Sequence, residues 1–156
     1  MFERPAAENG FLKAHADLLQ SSYRHWTGTA LAPDGDHGGT AARRLFEAPF
    51  ALVSHGTEAD PVFNYGNATA LRLFALEWED FCRLPSRQSA APLARDERQR
   101  LLERVSRHGH IADYRGVRVS SDGRRFLIED ALVWNLVDSD GAHRGQAAAF
   151  HRWTFL

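Results

Sequence analysis

The sequence predicts an α+β fold, a five-stranded antiparallel sheet with short helices on one face and an N-terminal helix covering the other. Three observations lead there. The last third has three long strand-like stretches separated by Asp122-Gly123 and Asp140-Gly141, a dipeptide that signals hairpins. An early segment carries one apolar stripe at helical spacing. The final strands are apolar on both alternations, Phe126, Ile128, Leu132 and Trp134 on one, Leu127, Ala131 and Val133 on the other. A solvated sheet face would be polar, so both faces must be covered.

The elements follow in order. Glu8 to Trp26 form a predicted helix through Phe11, Ala14 or His15, Leu18, Leu19, Ser22 and Trp26, with Thr27-Gly28 as the stop. This helix is the expected cover for the outer face, within its own chain or swapped onto a partner. Pro33 to Gly39 have strong turn chemistry. A short helix over Ala41 to Glu47 precedes strands starting near Phe50 and Val62. Asn67 caps a helix through Phe74. A helical turn spans Glu77 to Cys82, and Leu84 to Ser89 are irregular. Ala94 to His108 make an amphipathic helix with Leu101, Leu102 and Val105 on one face, ended by Gly109. The last three strands start near Ile111, Arg125 and Arg144.

Composition narrows the function. With 156 residues the chain fits one domain, and a formal net charge of −1 argues against a nucleic-acid footprint. No apolar run has the length of a membrane span, and the start is neither a basic nor an apolar leader, so the expected compartment is the cytoplasm. Cys82 is the lone cysteine, which rules out a disulfide framework within the chain. The eight histidines suggest metal, but the closest pair, His108 and His110, does not share a helix face, and no cysteine or carboxylate completes a zinc pattern. No metal site is expected.

Several motifs then fall in order. They are Ser54-His55-Gly56-Thr57, Asp60-Pro61-Val62-Phe63-Asn64-Tyr65-Gly66-Asn67, Leu84-Pro85-Ser86-Arg87, Tyr114-Arg115-Gly116-Val117-Arg118, Val133-Trp134-Asn135-Leu136 and Gly145-Gln146-Ala147-Ala148. Together they resemble the MEKHLA domain, a PAS-related domain found alone in bacteria and at the C-terminus of plant class III homeodomain–leucine zipper proteins. The resemblance runs from about Phe46 to Trp153 and implies the stand-alone bacterial form. It implies a PAS-like MEKHLA domain over 46–156, preceded by a helical extension over 1–45. A PAS-like fold implies a pocket between one sheet face and the short helices, and a dimer through the other face.

The candidate ligand-binding residues are His55, Asn64, Tyr65, Asn67, Arg87, Tyr114, Arg118, Trp134 and Gln146, with Asn135 beside them. Arginine, asparagine, glutamine and tyrosine together suit a small polar or anionic ligand held by charge-assisted hydrogen bonds. The bland alternative for each is a buried side chain that satisfies backbone groups at a turn. Arg118 lies between Val117 and Val119 and is expected to face inward, with Glu129 as the protein carboxylate that could neutralise it in place of a ligand. Some PAS domains hold haem through a histidine on the long helix, but His108 sits at that helix's end. Cys82 and Gln146 superficially resemble the flavin-reactive pair of photosensory PAS domains, but Phe81 stands where that branch has asparagine. Ser54 and His55 are adjacent on a strand, point to opposite faces, and cannot make a nucleophile–base pair.

The leading expectation is therefore a small-molecule-binding or sensory module that signals through dimerisation or a partner protein. The alternatives are a small enzyme of unknown reaction in the same pocket and a ligand-free interaction module. Catalysis is the weaker reading, because the sequence supplies no acid–base pair.

Overall fold

The computed structural model describes residues 2–32, 40–90 and 95–156; the Pro33 to Gly39 turn lies outside the described residues. The chain runs α1 (Lys13–Thr27), α2 (Ala41–Phe46), β1 (Ala51–His55), β2 (Phe63–Gly66), α3 (Ala68–Phe74), α4 (Trp78–Phe81), a 3-10 turn Ser86–Ser89, α5 (Arg95–His108), β3 (His110–Val119), β4 (Arg125–Val137), β5 (His143–Phe150) and β6 (Arg152–Phe155). The sheet is antiparallel in the order β2-β1-β5-β4-β3. The predicted last strand breaks at His151 into β5 and β6, and both halves pair with β4, so the fold keeps five columns. Among the described residues no helix is long and apolar enough to cross a membrane.

The first helix starts later than its periodicity suggests. A 3-10 turn, Ala7–Asn9, comes first. The Asn9 side chain closes it by accepting from the Ala6 amide and donating to the Arg4 carbonyl. Gly10, Phe11 and Leu12 then take left-handed backbone conformations, so a helix cannot pass through them. Phe11 leaves the α1 stripe and packs on Phe46 of α2, ring centroids 6.1 Å apart. Leu18 is half-buried, and the stripe that seals is His15, Ala16, Leu19 and Ser22.

α1 does cover the outer sheet face in its own chain, and polar bonds fix it there. Ser22 Oγ donates to the Val137 carbonyl and accepts from the Val137 amide, at 3.0 and 2.8 Å. Trp26 Nε1 donates to the Asn135 carbonyl. His15 Nε2 meets Ser54 Oγ at 2.9 Å, and Ser54 Oγ donates to Asn64 Oδ1. Tyr23 meets the edge of the buried Trp134 ring, centroids 5.1 Å apart.

The expected alternation in β4 is corrected halfway along. Asp130 has φ 53° and Asp113 on the neighbouring β3 has φ 61°, at the level where the last strand breaks. This kink switches faces. Phe126 and Ile128 look inward before it, whereas Ala131 and Val133 do so after it, leaving Trp134 and Leu136 on the outer side. A strict period of two therefore fails at one bulged level.

Asn67 joins the two halves of the fold. Its Oδ1 accepts from Ala70 at the start of α3 and from Leu52 on β1. Its Nδ2 donates to the carbonyls of Leu45 and Phe50. The predicted cap is thus also a brace between α2, β1 and α3. Gly109 ends α5 at φ +89°, and the Trp26 ring lies where a Cβ would project.

Candidate functional site

The inner sheet face, α3, the Ser86–Ser89 turn and α5 enclose a cavity of about 60 Å³. Most of its wall is apolar, from Val53, Phe63, Phe74, Leu101, Ile128, Val133, Ala148 and Phe150. The remaining polar wall comes from Ser54, His55, Ser86, Ser89, Arg98, Tyr114, Arg118 and Gln146. An open cleft of about 430 Å³ adjoins it and shares His55, Ser86, Arg98, Leu102 and Gln146 with it. These shared residues form the partition between interior and solvent.

Two guanidiniums dominate the polar wall. Arg98 is 7% exposed, and Arg118 is 9% exposed. Arg98 Nη2 donates to Ser86 Oγ at 2.5 Å. Arg118 donates from Nη1 to the Val117 carbonyl at 3.1 Å and from Nη2 to the Tyr114 hydroxyl at 3.2 Å, and lies over the Tyr114 ring. Among the described residues no other acceptor meets either group. Among the described residues neither makes an ion pair with a carboxylate. Burial, with the Arg118 charge adding to it, draws the Arg98 pKa down to about 10, so Arg98 stays cationic at neutral pH.

His55 faces the same wall. Its Nδ1 lies 2.9 Å from the Gly56 carbonyl, which fixes the proton on Nδ1 and leaves the buried Nε2 as an acceptor without a protein partner. Burial and the nearby Arg98 charge keep the ring neutral by lowering its pKa. Gln146 Nε2 lies within reach of the Leu102 carbonyl, Ser106 Oγ and Asn135 Oδ1, tying β5 to α5 and β4.

The structure brings His55, Tyr114, Arg118 and Gln146 to one cavity and places the other candidates elsewhere. Arg87 lines the outer cleft, half-exposed, with a two-pronged pair to Asp60 at 3.0 and 3.2 Å. Asn64 serves the Ser54 and His15 chain, Tyr65 stacks on His15 at 5.5 Å, and Asn67 is the brace described above. Trp134 is on the opposite face because of the Asp130 kink. Asn135 spans from the Val105 carbonyl to Gln146, supporting the wall from behind.

The expected Arg118–Glu129 alternative is also corrected. Arg118 is opposite Phe126, on the side of Ile128, whereas Glu129 is one residue out of phase and reaches Arg115 at 3.9 Å. The residue that sequence reasoning missed is Arg98. The apolar face read from the sequence names only Leu101, Leu102 and Val105, yet the spacing of Arg98 to these three puts it on the same stripe. A cation at an apolar-stripe position was the available signal.

Of the residues that would contact a flavin ring or haem iron, Gln146 lines the cavity, whereas Cys82 and His108 do not. Burial pushes the Cys82 thiol up to about 11. Among the described residues no three histidine, cysteine or acidic side chains are grouped to hold a metal ion.

Comparison with known proteins agrees on the architecture. The sequence model of the MEKHLA domain matches residues 13–155, starting at the first residue of α1. No curated protein matches the chain. A PAS domain from Colwellia psychrerythraea superposes with a TM-score of 0.61 at 14% identity, over 69% of this chain and 89% of that one. A PAS domain of a two-component sensor histidine kinase gives 0.55 at 19% identity, over 70% and 89%. A light-oxygen-voltage domain studied with a flavin analogue gives 0.56 at 16% identity, over 78% and 88%. At these identities the likeness is one of fold.

Proposed function

The chain belongs to the MEKHLA domain family, and from that premise we propose that it is a sensory module whose inner cavity binds a small anion. One observation carries the reading. Arg98 and Arg118 converge on a single cavity whose described wall carries no carboxylate, Asp60 acting on Arg98 only from the adjoining cleft. Burying a guanidinium away from water costs several kcal/mol unless a counter-charge meets it. Two such groups beside one cavity are stabilised most simply by an anion that arrives from outside.

Occupancy passes outward through bonds already made. Gln146 links the cavity wall to α5 and to Asn135, whose carbonyl accepts from Trp26 of α1. An anion that draws Arg98 inward acts on α5, and α1 lies at the far end of the same chain of contacts. The output is a change in dimerisation or in contact with a partner protein.

The test is thermal unfolding of the purified protein with inorganic and organic anions at matched ionic strength. A ligand at about 100 times its Kd stabilises by about 2.7 kcal/mol, a rise in Tm of ~5–10 °C. The expected result is a saturable rise with at least one anion class, lost in Arg98→Met and Arg118→Met. A flat response to every class contradicts the reading.

A further inference from the structure

We propose that the anion is inorganic hydrogenphosphate, a compact dianion whose oxygens are held by Arg98 and Arg118 and whose P–OH donates to His55 Nε2. This deepens the anion-binding reading above and rests on it. The charge of the cavity wall, its unmet hydrogen-bonding groups and its volume carry it together.

Charge comes first. Among the described residues Arg98 and Arg118 line the cavity and no aspartate or glutamate does. The two share one neighbourhood, because the Arg118 charge acts on Arg98 and the Arg98 charge acts on His55. Ala90 bridges Arg118, which brings the Ser86–Ser89 turn beside β3. Asp60 attracts Arg98 from the cleft but is itself taken by Arg87. A single negative charge would leave one of the two buried cations uncompensated, whereas a dianion compensates both.

The hydrogen-bonding groups then choose among dianions. Arg98 donates to Ser86 Oγ, and Arg118 donates to the Tyr114 hydroxyl. Both oxygens accept in those bonds, so their own protons are free to meet a ligand oxygen. The buried side-chain atom of this wall that meets no partner is of the other kind. His55 Nδ1 is spent on the carbonyl of Gly56, a residue of the cleft and not of the cavity, which leaves Nε2 as an acceptor for the cavity. The matching ligand presents several acceptors and one donor. Hydrogenphosphate has that set, three oxygens that only accept and one hydroxyl. Sulfate has the same charge and shape without the proton, and would set lone pair against lone pair at Nε2.

Volume excludes larger relatives. About 60 Å³ holds roughly four water-sized positions, which matches the oxygens of one phosphate and leaves no space for the organic part of an ester. An ester dianion also lacks the donor. Phe63, Phe74 and Phe150 complete the wall, keep water away and strengthen the charge pairing.

The experiment is a thermal-shift series on the wild-type chain at about pH 8, where phosphate and its monoesters are mainly dianionic. The probes are inorganic phosphate, arsenate, sulfate, methyl phosphate, malonate and acetate at matched ionic strength, with sodium chloride as the control. Phosphate should give a saturable rise of ~3–6 °C, and arsenate, which keeps the charge, shape and proton, should follow it. Sulfate, methyl phosphate and malonate should bind at least about tenfold more weakly. Acetate should match the salt control. The phosphate shift should vanish in a folded Arg118→Met variant. In His55→Gln, whose amide can donate as well as accept, the gap between phosphate and sulfate should close. Sulfate or malonate equal to phosphate in the wild type, or a gap undiminished in His55→Gln, overturns the P–OH contact and leaves the anion reading standing. Methyl phosphate equal to phosphate makes the ligand a phosphoryl group of a larger molecule, and acetate binding best removes the dianion; each overturns the proposal alone. If no anion gives a shift, this proposal and the reading beneath it both fall.

Discussion

The two faces of the sheet bury polar groups in opposite ways. On the outer face, Ser22, Trp26 and His15 of α1 each meet a backbone or side-chain partner on the sheet. What stays unpaired there among the described residues is the Tyr65 hydroxyl, Trp134 Nε1 and Nδ1 of His110, which stacks on Trp26. On the inner face two buried guanidiniums without an ion pair and a histidine acceptor without a partner are gathered at one cavity, among the described residues. A neutral orphan costs ~1–3 kcal/mol, whereas a buried charge without a counter-charge costs more. The outer face is closed by α1, whereas on the proposed reading the inner face is completed by an anion.

The largest effect should come from uncovering the closed face. Deleting residues 1–28 removes α1 with Tyr23 and Trp26, and exposes Leu52, Trp134 and Leu136, each wholly buried in the intact chain. An exposed apolar sheet face of that kind drives association. The truncated protein should aggregate or lose its cooperative transition, as read by light scattering and circular dichroism. A soluble truncation with unchanged Tm would show that α1 is a dispensable cover.

A smaller effect should come from protonating the same face. Burial holds the His15 pKa down to about 4, against 6.5 for an ordinary histidine. The unfolded chain therefore takes the proton at a higher pH than the folded one. Stability is full above about pH 6.5 and falls as the pH drops toward 4, by on the order of 3 kcal/mol. His55 is shifted in the same direction and adds to the slope. Urea unfolding between pH 7 and 5 should show a shallower decline in His15→Gln than in wild type. Equal slopes would mean that His15 is solvated in the folded state.

How far the sequence reaches differs between the faces for a physical reason. The outer face was legible because it depends on local repetition. The α1 stripe, the Asn67 cap and the two Asp-Gly turns each follow from residues close in the chain. Its errors were local as well, the left-handed run at Gly10 to Leu12 and the kink at Asp130. Side-chain direction beyond that kink could not be read from alternation, so Trp134 was assigned to the wrong face. The inner cavity depends on residues far apart, Ser86 before α5, Arg98 on it and Arg118 on β3. Arg118 was legible from its flanking valines. Arg98 was not, because arginine on a charge-rich helix looks solvated until its place on the Leu101 and Val105 stripe is noticed.

The contrast is tested most directly by removing both inner cations where no ligand is present. Urea unfolding of the Arg98→Met, Arg118→Met double variant in an anion-poor buffer should give a stability within ~1 kcal/mol of wild type, or above it. Methionine fills much of the same space, and replacing buried charges by apolar groups of similar volume is often neutral or stabilising. A loss of about 3 kcal/mol or more would mean that the two guanidiniums hold the fold together as the α1 contacts do, and the inner face would then be closed without a ligand.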